Sequence, residues 1–200
     1  MKNFYFMTSV LVSLFLLSNT SLLRAGGPEE KIKHTTHYIL SVVNDPDLKH
    51  SDKTGDRKGL IRKAVDERFD WEEISRRSLG KHWKELTDNE KQEFVFLFSR
   101  LLERTYLEKL ENFSGEKVYY EKEVIEGVYG SVEMKIMTSK GVPIQVKYNL
   151  RKKEDDWLVY DVYIGGVSLV NNYRNQFNNI LRNSSYKTLA EKLKDKVAEK

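Results

Sequence analysis

The 200-residue chain has no cysteine. Without thiols there is no disulfide staple, so an exported form must rely on its core alone. Nor can the chain be a bacterial lipoprotein, whose lipid is attached to a cysteine at the cleavage site. Proline is scarce, at three residues. With no internal repeat and no low-complexity linker, the chain reads as one domain. The only long apolar run covers residues 4–17, about 14 positions where a bilayer span needs about 20. An excess of one charge is missing too: 34 Lys and Arg stand against 30 Asp and Glu. That balance excludes a dedicated nucleic-acid binder, which would carry a clustered basic face.

The apolar run is better read as a secretory leader. Lys2 gives the positive start, residues 4–17 the apolar middle, and Leu23-Arg24-Ala25 a small residue at the cut. Cleavage is expected after Ala25, leaving a domain over residues 26–200 and a periplasmic location. Loss of Lys2 and Arg24 leaves 32 basic residues against 30 acidic, a net of +2.

Beyond the leader the pattern is helical, then sheet-like, then helical. Pro28 with Glu29 and Glu30 opens a first helix, which carries Ile32, Ile39, Val42 and Val43 and ends at Asn44-Asp45-Pro46. A polar loop leads to Gly55 and a second helix bearing Leu60, Ile61, Ala64, Val65 and Phe69. Asp70 with Glu73, and Thr87 with Glu90, form capping boxes for a third helix and for the longest helix of the chain. The longest helix has two apolar stripes, wider than a simple helix–helix seam. Beyond residue 115 the period drops to two. Val132, Met134 and Ile136, then Ile144, Val146, Tyr148 and Leu150, then Tyr160, Val162 and Ile164 mark single faces of successive strands. One-sided strands in sequence imply an antiparallel meander. Gly165-Gly166 breaks the last strand, and Ser168 can cap a helix carrying Val170, Tyr173, Phe177 and Ile180. The fold class is α+β, several helices on a curved sheet of about four antiparallel strands.

Catalytic signatures are missing. There is no G-x-S-x-G elbow, phosphate loop or H-E-x-x-H zinc helix. His34 and His37 lie three apart on a helix and could share a metal, but with no supporting ligand cluster they read as solvated helix residues. Asp161, flanked by Tyr160 and Tyr163, could serve proton transfer; a hydrogen-bonded structural carboxylate is the competing reading.

Four blocks of sequence point further. The run from Trp157 to Leu181, W-x-V-Y-D-V followed by G-V-S-L-V-x-N-Y-R-x-Q-F-x-x-I-L, resembles the MlaC family of periplasmic phospholipid shuttles, the toluene-tolerance auxiliary family. Phe69 to Trp83 looks like the family's F-D-F-x-x-M-A-R-x-x-L-G-x-x-W motif. Thr87 to Tyr106 looks like its T-x-x-Q-x-x-x-F-x-x-x-F-x-x-L-L-x-x-T-Y helix, and Val142 to Tyr148 matches its I-P-V-x-Y strand in character. Departures are Gly165, where many relatives have an acid, Leu158 where a polar residue is common, and Ser75 and Ser78 in place of small apolar residues.

The resemblance implies a nuclear-transport-factor-like α+β fold with an apolar cavity between sheet and helices, no enzymatic activity and no cofactor. It implies a monomeric carrier of phospholipid between outer and inner membranes that maintains outer-membrane lipid asymmetry. Its implied partners are an outer-membrane lipoprotein–porin complex and an inner-membrane ABC transporter with an MCE-domain subunit. On that basis Phe98, Leu101, Leu102, Tyr106, Val132, Met134, Ile136, Ile144, Val146, Tyr148, Tyr160, Val162 and Leu169 are expected to line or support the cavity. An enzyme of the same fold acting on a small apolar substrate, or a periplasmic interaction module with a filled core, would lack a cavity long enough for acyl chains.

Overall fold

The computed structural model describes residues 26–111 and 116–198; the expected leader lies outside them. Helix α1 (Pro28–Asn44) starts where proline's fixed φ suits the first turn and Glu29 and Glu30 meet the positive end of the dipole. The loop after it is not irregular: Asp45 accepts from the Asp47 amide and starts one of two short 3₁₀ turns. Helix α2 (Thr54–Arg68) stops one residue short of Phe69. Phe69 is instead extended and bridges to Val159, and the Asp70 amide donates to the Val159 carbonyl at 2.9 Å. Sheet pairing, unreadable from the helical period, takes Phe69 out of the helix.

Helix α3 (Trp71–Leu79) is capped by Asp70, which accepts from the Glu73 amide at 3.1 Å. The expected reciprocal bond from Glu73 is absent because its carboxylate is engaged elsewhere, by Arg76 and Arg77 at 2.7 Å each. Helix α4 (Asp88–Glu111) has a full capping box: Glu90 accepts from the Thr87 amide at 2.8 Å, and Thr87 Oγ1 accepts from the Glu90 amide at 3.3 Å. Its 24 residues extend about 36 Å at roughly 1.5 Å each.

Strands β1 (Lys117–Glu126), β2 (Tyr129–Met137), β3 (Pro143–Lys153) and β4 (Asp156–Ile164) form the expected antiparallel meander. A fifth, two-residue strand, β5 (Val167–Ser168), joins its edge. Gly165 and Gly166 do not lead straight into the helix. With φ of +57° and +82° they make the two-residue hairpin between β4 and β5. Helices α5 (Leu169–Leu181) and α6 (Tyr186–Ala198) close the described chain, with Ser168 capping α5 through the Asn171 amide at 3.0 Å.

Strand β4 also corrects an expectation. Tyr148 pairs with Val162 and Asn149 with Asp161, but Leu150 pairs with Val159. Tyr160 is therefore an extra residue, a β-bulge. Before the bulge the inward residues are Trp157 and Val159; after it they are Val162 and Ile164. A strict alternation through Leu158, Tyr160 and Val162 is thus broken.

The apolar interior falls into three clusters. Phe94, Phe98, Tyr173 and Phe177 centre the first, between α3, α4, α5 and α6, with Phe98 at 4.9 Å from Tyr173 and 5.1 Å from Phe177 ring to ring. Val132, Met134, Leu150, Trp157 and Val159 form the second under α1. Val42, Val43, Ile61 and Leu107 form the third between α1, α2 and α4. Buried charge ties the parts together. Arg68 donates to Asp156 at 3.0 Å and to the Trp157 carbonyl at 2.6 Å, pinning the end of α2 to β4. Arg151 of β3 reaches Asp70 at 3.3 Å. Among the described residues, no helix is long and apolar enough to cross a membrane.

Two tests follow from this packing. Hydrogen bonds from Arg76 and then Arg77 outweigh burial and hold the Glu73 carboxyl at about 2, below its usual 4.5. A depressed folded-state pKa gives stability that is complete above about pH 5 and lost as pH falls through 4.5 towards 2. For this buried side chain the loss is on the order of 3 kcal/mol. Urea midpoints measured across that window should fall less steeply in E73Q than in wild type, and E73Q should be the weaker protein at neutral pH. Ser75 and Ser78 are fully buried in α3, and among the described residues neither Oγ has a hydrogen-bond partner. Ser75→Ala and Ser78→Ala should therefore each raise stability by about 1 kcal/mol in the same urea assay.

Candidate functional site

Where the three clusters meet they do not merge. A cavity of about 1230 Å³ lies between them, larger than the roughly 300–1,000 Å³ of ordinary small-molecule pockets. Each cluster contributes to its wall: Ile74 and Leu102 from the first, Val146 and Val162 from the second, Ile61 and Leu107 from the third. Helix α4 separates core from cavity. Phe94, Leu97, Phe98 and Leu101 pack into the helical core, while Val95, Leu102 and Tyr106 turn to the cavity. This is why its apolar surface is wider than one stripe. Lining residues run along α4 from Asp88 to Leu107, about 28 Å of helix.

The inner face of the sheet supplies the opposite wall. Cross-strand partners Ile136–Ile144 and Tyr148–Val162 face it as pairs, as does the Val146–Ile164 pair. Tyr148 has its phenol pushed up to about 12 by burial, and burial also raises Tyr106. Both phenols stay neutral over any physiological pH, so this stretch of wall carries no charge. Toward the outside, Phe96 is 56% and Val167 62% exposed, leaving apolar groups at the opening.

Of the residues expected to line or support the cavity, the sheet places Ile136, Ile144, Val146, Tyr148 and Val162 on its wall, α4 places Leu102 and Tyr106 there, and α5 places Leu169. Phe98 and Leu101 sit behind the wall in the helical core, and Val132 and Met134 behind it in the sheet core. Tyr160 belongs to neither. As the bulge residue it stacks edge-on against Tyr129 at 6.1 Å and lies under the Arg77 guanidinium at 4.2 Å. Sequence reasoning missed the contribution of α2 and its exit. Ile61, Val65 and Phe69, spaced four apart, all line the cavity, with Trp71 stacked on Phe69 at 5.3 Å. The spacing was visible, but one apolar row on a helix does not say whether it meets another element or a hollow.

Asp161 lies at the cavity wall, buried, with both oxygens occupied. Oδ1 accepts from the Val162 and Val170 amides at 2.9 and 3.1 Å, and Oδ2 accepts from Ser168 at 2.7 Å. It clamps the bulged strand to the β5 hairpin and the start of α5. His34 and His37 are exposed on α1, and among the described residues no group of three or more His, Cys, Asp or Glu is placed to hold a metal. Among the charged residues at the wall, Arg62, Arg100 and Glu103 form one compact group. Glu103 accepts from Arg62 Nε at 2.6 Å, also from Arg62 Nη2, and from Arg100 at 2.8 Å.

The fold is shared with a solved structure. A solved structure of a phospholipid-binding protein from Ralstonia solanacearum, in complex with a phospholipid, superposes with a TM-score of 0.77; it is 24% identical, covering 86% of this chain and 98% of that one. A putative NTF2-like transpeptidase from Campylobacter jejuni is far looser, with a TM-score of 0.42 and 16% identity over 67% of this chain and 97% of its own. In sequence, the intermembrane phospholipid transport system binding protein MlaC of Haemophilus influenzae is 22% identical over 204 residues, all of this chain and 95% of that protein. The family model for MlaC protein matches residues 33–195. The chain belongs to the MlaC family.

Proposed function

We infer that this protein is a periplasmic phospholipid carrier that holds acyl chains in the cavity between α4 and the sheet. The observation that carries this reading is the cavity itself: about 1230 Å³, extending along most of α4, with aliphatic and neutral aromatic side chains from α2, α4 and the sheet on its wall. The physical need is large. At about 0.8 kcal/mol per methylene, two chains of about 16 carbons carry roughly 25 kcal/mol of aversion to water. Unassisted crossing of an aqueous compartment is then negligible, and a carrier must offer an apolar enclosure that can also let go. The names of the Haemophilus and Ralstonia relatives support the same reading. Asp161 gives no support to the enzyme alternative, since its oxygens are occupied by amides and Ser168.

The wider circuit belongs to this proposal. A leader over residues 1–25, cut after Ala25, would deliver residues 26–200 to the periplasm as one domain. There the monomeric protein would exchange lipid with an outer-membrane lipoprotein–porin complex and with an inner-membrane ABC transporter bearing an MCE-domain subunit. Such exchange maintains the lipid asymmetry of the outer membrane.

Native mass spectrometry of purified protein should show bound phospholipid. A lipid-free preparation that also takes up none from vesicles removes the proposal. Val146 is buried on the wall between Met134 and Ile164. Val146→Asp places a carboxylate there and should cut lipid retention about tenfold or more, with far-UV circular dichroism reporting an intact fold. Undiminished retention in folded V146D means the chains lie against another surface.

A further inference from the structure

The apolar account of the cavity leaves its charged group unexplained. Arg62 on α2 and Arg100 on α4 converge on one carboxylate, Glu103, whose side chain is 16% exposed. A guanidinium carries five N–H donors, and Glu103 takes two from Arg62 and one from Arg100. Most donors of the pair are therefore not directed at their shared partner. The other lining cation, Lys91, is occupied by Asp88 at 2.9 Å. Locally, two forked cations share one anion at the wall of an apolar cavity.

Two acids of the wall, Asp66 and Glu72, have a different placement. Asp66 is exposed and lies one turn along α2 from Arg62, the four-residue spacing that puts side chains side by side. One of its oxygens accepts from Trp71 Nε1 at 2.7 Å. Glu72 is also exposed and also lines the cavity. Arg62 and Arg100 are half-buried while Asp66 and Glu72 are exposed, which gives this part of the wall a two-part charge pattern. It matches a phosphate followed outward by an ammonium group.

Resting on the carrier reading, we propose that Arg62, Arg100 and Asp66 form a head-group site for zwitterionic, amine-bearing phospholipids. The arginine pair holds the phosphate, forked donors to tetrahedral oxygens, and Asp66 receives the ammonium. Glu103 neutralises the pair when no cargo is present.

The test uses vesicles of matched acyl chains containing phosphatidylethanolamine, phosphatidylglycerol and diacylglycerol. Protein incubated with them is re-isolated, and its bound lipid is counted by native mass spectrometry. Wild type should favour the two phospholipids over diacylglycerol by about tenfold or more, with phosphatidylethanolamine ahead of phosphatidylglycerol. R62Q/R100Q should erase most of the first preference, and D66N only the second. Glu103→Gln separates this site from a plain tie between α2 and α4. A tie predicts that E103Q behaves like the arginine pair; the site predicts that E103Q keeps the phospholipid preference. Loss of preference in E103Q, or none in R62Q/R100Q, overturns the assignment. Wild type that carries diacylglycerol as readily as phospholipid overturns the site alone, and wild type that takes up no lipid overturns the carrier reading and the site with it.

Discussion

An apolar interior that does not close on itself is the constraint on which the rest of this structure depends. Most domains of this size pack one continuous core. Here three clusters stop short of one another, and the space between them is a cavity of about 1230 Å³. Hydrophobic attraction alone would draw such walls together. They must be held apart by elements that are rigid for other reasons. The aromatic cluster around Phe98 stiffens the back of α4, and the paired strands fix the spacing of the opposite wall.

Polar interactions set the angles at which those walls meet. Asp161 binds two amides and a hydroxyl across the bulge, the hairpin and the first turn of α5. Asp70 and Glu73 gather Arg76, Arg77 and Arg151 at the joint of α3 with the sheet. Buried charges of this kind are costly unless each is paired and hydrogen-bonded. Asp70 and Glu73 are paired with arginines and Asp161 is satisfied by three hydrogen bonds, so they act as corners of a frame that the apolar clusters cannot supply. Arg68 does the same for the end of α2.

A lipid carrier needs two opposed properties, an enclosure apolar enough to replace a bilayer and an opening that releases cargo. The deep wall, with Tyr148 neutral and Val146, Val162 and Leu102 around it, meets the first need. Exposed Phe96 and Val167, with the charged group around Glu103, put both apolar and polar contacts where cargo would enter. The balance between these parts, more than any single residue, suits the protein to reversible holding.

The sequence by itself determined the six α-helices, the four long strands and their antiparallel meander, both helix caps at Asp70 and Thr87, and the family, because each is written in local patterns. It also placed Ile136, Ile144, Val146, Tyr148 and Val162 on one dry face. What it could not decide was what that face meets. Periodicity fixes the direction of a side chain relative to its own helix or strand, and Phe98 and Leu102 share one row of α4 although only Leu102 reaches the cavity. The bulge at Tyr160, the removal of Phe69 from α2 by pairing with Val159, and the joining of Arg62 to Glu103 across 41 residues depend on contacts distant in the chain. Only the tertiary structure could turn three apolar patterns into a hollow, since a cavity is defined by where packing stops.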